Sequence, residues 1–433
     1  MRRSLSAAVA AAALALTLTA CGDDGGDTTS TTPQGAAAQD PAAVSGTVTW
    51  WDTSDSTSEA PAYKELIAKF EAQYPKIKVK YENIPFDDAR DKFKTAAQGN
   101  SGAPDVLRAD VGWTPSFAEL GYLQPLDGTP ALNAKEDFLP GGYASTQYKG
   151  KTYGAPMVTD ALALLYNKDL LAKAGVAKPP TTWAEVKAAA LAVKEKTGAS
   201  GVFMKAQGYY ALPLIYGEGG DLVDMNAKKV TVNDDKAVAG VSIGKDLLDS
   251  GAAVTDVTKD AYTNMQNLFK DGKVAMLING PWSVADDLKG SAFSTPGNLG
   301  IAPVPAGSSG KNGSPTGGHN LVVYAGSKHL DASYLFVQFL TNAESQGYAA
   351  QKNHVLPTRA SVYSQPAIAG DTQITQFRTV LDASRPRIAL PQASDLFDPL
   401  DDSMEKIYSG QASVKSGLDD TAKAAKKILP GFN

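Results

Sequence analysis

Carboxylates and aromatic rings recur at the predicted ends of strands in this chain. Trp51-Asp52 closes the first predicted strand, Arg108-Ala109-Asp110 with Trp113 follows another, and Asp160 immediately precedes a third. A carboxylate accepts two hydroxyl hydrogen bonds with charge assistance, and a flat ring packs against C–H faces. Together they suit a polyhydroxylated ligand, held beyond the carboxyl ends of strands in an open α/β sheet. Each residue also has a plainer reading. A strand-end Asp often serves as a turn or cap, and Trp183 follows a capping Thr182 and reads as structural. Trp282, in the loop Asn279-Gly280-Pro281-Trp282, would be costly to expose without a partner.

No catalytic apparatus accompanies these groups. His319, His329 and His354 are scattered without i,i+4 spacing and the only cysteine is Cys21, so no zinc site is expected. Gly150-Lys151-Thr152 resembles the end of a phosphate loop, but Ser145 stands where its first glycine belongs. Ser403-Met404-Glu405-Lys406 and Lys196-Thr197-Gly198 match two elements of penicillin-binding enzymes in reversed order. There is no G-x-S-x-G elbow. The expectation is a binding protein rather than an enzyme, with no cofactor and no metal.

The elements that must position these groups alternate. Thr47–Trp51 is β-rich, and Pro61 opens a helical stretch with Tyr63, Leu66, Ile67, Phe70 and Tyr74 on one face. Ile77, Val79 and Tyr81 alternate with lysines as a strand does. A helix follows over Asp87–Ala97, then a short strand over Pro104–Leu107. This βαβαβ order predicts an α/β domain with a largely parallel sheet. Ala161–Tyr166 reads as an apolar strand and Lys168–Ala174 as a helix closed by Gly175. Thr182 and Glu185 have the spacing of a capping box. Gln266, Leu268 and Phe269 lie in a helix stopped by Asp271-Gly272, before a strand over Val274–Ile278. Roughly the last hundred residues read as mainly helical.

The 433 residues carry a formal charge of −5 and no basic tract, which argues against a nucleic-acid partner. With no cysteine after position 21 there is no internal disulfide. Stability must come from burial, and the chain is long enough for two sizeable domains. No later apolar run approaches the length of a membrane-spanning helix. At the start, Arg2 and Arg3 precede an apolar run from Ala7 to Leu18 and small residues leading into Cys21, the pattern of a secretory signal. Leu18-Thr19-Ala20-Cys21 resembles the lipobox of bacterial lipoproteins, which implies cleavage of residues 1–20 and lipid on Cys21. Residues 21–45 are rich in Gly, Asp, Thr, Ser, Pro and Ala and read as a flexible tether.

Several segments together resemble the solute-binding proteins of sugar ABC importers, of the maltose/maltodextrin-binding lipoprotein type. They are Lys151–Pro156, Leu164–Leu171, Pro180–Trp183, Gly272–Met276, Asn279–Trp282, Gly317–Asn320 and Ser384–Arg387. The resemblance implies an α/β, two-lobe, periplasmic-binding-protein-like fold with a central ligand cleft and crossover strands between the lobes. It implies a first lobe of residues 46–158 with about 320–367, and a second of 159–319 with about 368–433. It puts Trp282 where the family stacks an aromatic on a sugar, and Tyr209, with Tyr210 beside it, where another aromatic touches it. Asp160 matches an acidic hydroxyl acceptor beside the hinge, and Phe397 replaces a platform that is Trp in the best-known relative. Ala109 stands where that relative has Trp, and Gly112-Trp113 where it has Asp-Arg, which leaves Asp110 and Trp113 as substitutes. Asp52, Asp110 and Asp160 are then the expected hydroxyl acceptors. The implied partners are an oligosaccharide, ABC permease subunits and the outer face of a membrane through Cys21, with the protein a monomer. The other readings are the same role for trehalose, sucrose or a β-linked sugar, a secreted glycosidase, and a surface scaffold.

Overall fold

The computed structural model describes residues 40–433, so Cys21, the leader and most of the tether lie outside the described residues. Strands β1 (Gly46–Asp52), β2 (Ile77–Asn83) and β3 (Val106–Asp110) alternate with helices α1 (Ala60–Gln73) and α2 (Phe86–Gln98). Pro61 lies in the first turn of α1, and Ala62, Tyr63, Leu66, Ile67 and Phe70 form its buried face. β1 pairs in parallel with both β2 and β3, as the βαβαβ order predicts.

β4 (Ala155–Ala161) runs through the single residue Leu162 into β5 (Ala163–Asn167). Further strands are β6 (Ser200–Phe203), β7 (Ala253–Val254), β8 (Val274–Asn279), β9 (Leu299–Pro303), β10 (Pro315–Val323), β11 (Leu356–Pro357) and β12 (Arg385–Pro386). They form two sheets. One has seven strands in the order β11-β4-β10-β3-β1-β2, with β12 alongside β10; the other has five in the order β7-β6-β8-β5-β9. The chain therefore passes from the first sheet to the second through Leu162 and returns between β9 and β10, giving two α/β lobes.

Three sequence boundaries shift. The strand expected over Ala161–Tyr166 is the junction of β4 and β5. β3 lies at Val106–Asp110 rather than over Pro104–Leu107, so Arg108 and Asp110 belong to the strand instead of following it. Asp160 likewise lies inside β4. Every residue of β3, β4 and β5 is buried, so no polar–apolar alternation marks where each begins.

Each lobe has its own packing. Trp50, Tyr63, Phe70 and Phe336 pack in the first, with Trp50 and Phe336 rings edge to face at 5.3 Å. In the second, α3 (Trp183–Thr197), α4 (Gly208–Gly217), α5 (Ala261–Lys270), α6 (Phe397–Tyr408) and α7 (Val414–Ile428) surround the five-stranded sheet. The capping box at Thr182 is formed, with both Thr182 and Glu185 side chains accepting backbone N–H groups. Trp183 is buried in the second-lobe core.

Candidate functional site

The carboxyl end of β3 and the adjoining ends of β4 and β10 make one floor. His319 of β10 lies opposite Asp110 of β3, and Gly317 lies opposite Asp160 of β4. Asp110 accepts a hydrogen bond from the Gly112 amide at 2.7 Å and two from Arg387 Nη2, at 2.7 and 2.9 Å. Arg387 follows β12, and its guanidinium lies 5.4 Å from the centre of the Tyr209 ring. The Tyr209 hydroxyl donates to Asp160 at 3.4 Å. A side chain at position 317 would put its Cβ 2.2 Å from an Asp160 oxygen and 2.7 Å from the Tyr209 hydroxyl. Glycine there is what lets the two groups meet.

From Tyr209 the site continues into the second lobe. Tyr210 stands perpendicular to it at 6.0 Å, and Phe397, at the start of α6, is 6.5 Å away. Tyr210 donates to Asn279, Asn279 to Gln266, and Gln266 and Ser283 to Asp287, a chain of buried side-chain bonds behind the Asn279–Trp282 segment. Gly280 is required here too, since a Cβ would fall 1.9 Å from the Trp282 ring. Trp282 is partly buried, and its Nε1 donates to the Tyr262 hydroxyl at 3.0 Å.

Two candidates of the sequence reading take other roles. Asp52 is fully buried, and its carboxylate is occupied by Ser54 and by the Tyr81 hydroxyl at 2.8 Å, with Arg108 3.9 Å away. Its oxygens are taken by groups of the chain itself, so Asp52 serves the fold and offers no free hydroxyl acceptor. Trp113 is 6% exposed, because Phe86 stacks over it at 5.2 Å and 27° while Phe117 packs at its other side. Asp110, Asp160, Tyr209, Tyr210 and Phe397 are brought together, and Trp282 adjoins them through Asn279. Arg387 and Tyr262 belong to the same constellation although neither was read from the residues as a ligand group. Arg387 lies in the Ser384–Arg387 segment of the resemblance, whereas Tyr262 carries no sequence signal.

The lobes touch beside the site. Arg90 of α2 donates to both oxygens of Asp398 at 2.9 and 3.1 Å and to the Ser394 carbonyl at 3.1 Å. Ser394 in turn donates to the Gly112 carbonyl at 2.8 Å, and Lys289 donates to the Thr57 carbonyl at 3.4 Å. Among the described residues, no group of three or more metal-ligating side chains occurs, and no helix is long and apolar enough to cross a membrane.

Burial raises the Asp160 carboxyl to about 7 against the opposing charge of Arg387. Burial also raises Glu59 and Asp287 to about 7 and Asp401 to about 6. Each holds a proton in the folded chain that the unfolded chain releases near pH 4, so stability falls as pH rises from there through about 7. Carboxylates held low by hydrogen-bonded lysines, such as Glu82 and Asp419, act oppositely, but that gain is complete by about pH 5. His319 is kept neutral by burial and by Arg108 and Arg387, and opposes the decline only up to its unfolded value of 6.5. The unfolding free energy of the sugar-free protein is therefore expected to decline between pH 5 and 8, and Asp160→Asn to flatten the decline. Denaturant titrations across that range check this. A rise in stability over the same interval would contradict it.

Residues 53–347 match the profile of a family described as bacterial extracellular solute-binding protein. The GacH receptor of Streptomyces glaucescens, solved unliganded and with acarbose and an acarbose homolog, is 50% identical, with a TM-score of 0.87 over 90% of this chain and 100% of that one. A maltooligosaccharide ABC transporter solute-binding lipoprotein of Streptococcus pneumoniae is 27% identical over 85% of this chain and 86% of its own. The diacetylchitobiose binding protein DasA of Streptomyces coelicolor is 29% identical over 84% of each.

Proposed function

The chain belongs to the bacterial extracellular solute-binding proteins, and on that premise we propose that it is the sugar-binding component of an ABC importer with maltose/maltodextrin-type oligosaccharides as its solute. The observation that carries the reading is the meeting of Asp110, Asp160, Arg387 and the Tyr209 ring at the junction of the lobes, with Trp282 alongside. The carboxylates accept sugar hydroxyls, the guanidinium donates to ring and hydroxyl oxygens, and the aromatic faces take the C–H surfaces. Bonds made to both lobes at once favour the closed state, and only that difference in affinity drives closure. Lipid on Cys21 would hold the protein at the outer face of the membrane, where the closed form docks on the permease subunits and releases its sugar.

A second reading keeps the role and changes the ligand to an acarbose-type pseudo-oligosaccharide. It is favoured by the 50% identity to a receptor solved with acarbose. A β-linked oligosaccharide stands behind both.

A thermal-shift panel on the purified protein separates these. It contains maltose, maltotriose, maltotetraose, acarbose, trehalose, sucrose, cellobiose and diacetylchitobiose, with reducing-sugar release followed in the same samples. A ligand at a thousand times its Kd stabilises by about 4 kcal/mol. Protection by maltotriose without sugar release is the expected result. Protection by acarbose alone selects the second reading, protection only by a β-linked sugar overturns both, and turnover removes the importer role.

A further inference from the structure

Beside the strand-end floor of the first lobe, the aromatic ring exposed to solvent is Phe86, not Trp113. Phe86 is 43% exposed, whereas Trp113 beneath it is 6% exposed. A single exposed phenylalanine on a protein surface ordinarily needs no explanation. This one is held by two rings, stacked on buried Trp113 at 5.2 Å and 27° and set edge-on to half-buried His319 at 5.8 Å and 78°. Both supports belong to the site. Trp113 follows Gly112, which binds Asp110, and His319 lies opposite Asp110 in the β3–β10 ladder.

The position of Phe86 in its helix keeps the ring open. It is the first residue of α2, directly after Pro85 in an extended conformation, so no preceding helical turn covers its outer face. The next residue, Asp87, lies near enough to the second lobe for its charge to act on Lys205 and Tyr210. The ring thus lies on the first-lobe side, over Trp113 and beside His319, whereas the Tyr209 and Trp282 platforms pack with the second-lobe core. Its orientation is fixed before any ligand arrives, which removes the ordering cost that a mobile side chain incurs on binding.

From this placement we infer that Phe86 is a further sugar platform, taking a pyranose unit beyond those held by Tyr209 and Trp282. It thereby makes affinity rise with chain length. The inference rests on the oligosaccharide reading given above. It assigns Trp113 to positioning, as the rigid backing of the Phe86 ring.

Removing the whole ring would uncover Trp113, which offers an aromatic face of its own. The informative variants are therefore Phe86→Leu, which keeps an apolar cover over the indole, and Phe86→Tyr, which keeps the platform. Isothermal titration is run with maltose, maltotriose and maltotetraose on the wild type and both variants, with Trp282→Ala as the comparison. Phe86→Leu is expected to lose about tenfold in affinity for maltotetraose. It should change less than about twofold for maltose, with Phe86→Tyr close to wild type for both. An equal loss with every sugar, or no loss with any, overturns the assignment, as does a failure of Phe86→Tyr to restore binding. If the wild type binds only a β-linked series, the α-glucan reading fails, and the length comparison on that series decides Phe86. If it binds no saccharide, both fall.

Discussion

Replacing Arg387 by methionine is expected to lower the stability of the sugar-free protein by about 3–5 kcal/mol at pH 7. Arg387 is largely buried and gives two charge-assisted bonds to Asp110, and it is also the main positive charge acting on buried Asp160. Methionine keeps most of the stem volume and removes the cation, which leaves Asp110 as a buried anion with the Gly112 amide as its remaining partner. The unpaired charge, more than the lost attraction, sets the size of the effect. A double-mutant cycle with Asp110→Asn tests this cause, because the second substitution removes the stranded charge and should recover a large part of the loss. Denaturant unfolding gives the four free energies. A cost below about 1 kcal/mol for Arg387→Met would show a pair that solvent screens, as at an exposed surface.

Trp282→Ala is expected to weaken sugar binding by about a hundredfold or more, as truncation of a central aromatic anchor does. The ring packs closely against Gly280 and its Nε1 is held by the Tyr262 hydroxyl, so its position is set by the protein rather than by the ligand. Trp282→Phe should retain much of the affinity, since the stacking face survives while the bond to Tyr262 is lost. Tyr262→Phe should cost only a fewfold change, through a less firmly held indole. Titration calorimetry with maltotriose gives the ordering, and near-unchanged thermal unfolding of sugar-free Trp282→Ala keeps the result from being a folding defect. Affinity within twofold of wild type would remove Trp282 from the site.

The parts of this fold that follow from local chemistry were legible in the sequence. The βαβαβ start was visible because α1 and the alternating β2 show their own periodicities, and the α3 cap because Thr182 and Glu185 are three residues apart. The strand limits at β3 and β4 were not, since strands buried on both faces carry no alternation. The same division runs through the site. Asp110, Asp160, Tyr209 and Trp282, proposed above to hold the sugar, were picked out by type and resemblance. Asp52 has the same type and strand-end position, yet Tyr81, far along the chain, occupies its carboxylate. Trp113 was a reasonable platform until Phe86, on a different helix, covered it. Arg387 and Tyr262 owe their roles wholly to the tertiary fold: one follows a two-residue strand, and the other sits in the first turn of α5.

The position of β10 has a consequence for how the molecule comes into being. β10 lies between β4 and β3, and the other neighbour of β4 is β11, so β4 has no sheet partner until the chain beyond Pro315 exists. All five strands of the second sheet are made in that interval, which lasts roughly 10–30 s at ordinary rates of synthesis. The second sheet can close while the first is still missing its central strand, and the long-range β4–β10 and β3–β10 pairings must wait. The two halves of the cleft therefore mature in order. Trp282 can take its place first, Asp110 and Asp160 acquire their common floor when β10 slots between the strands that bear them, and Arg387 and Phe397, made after β10, join the site last.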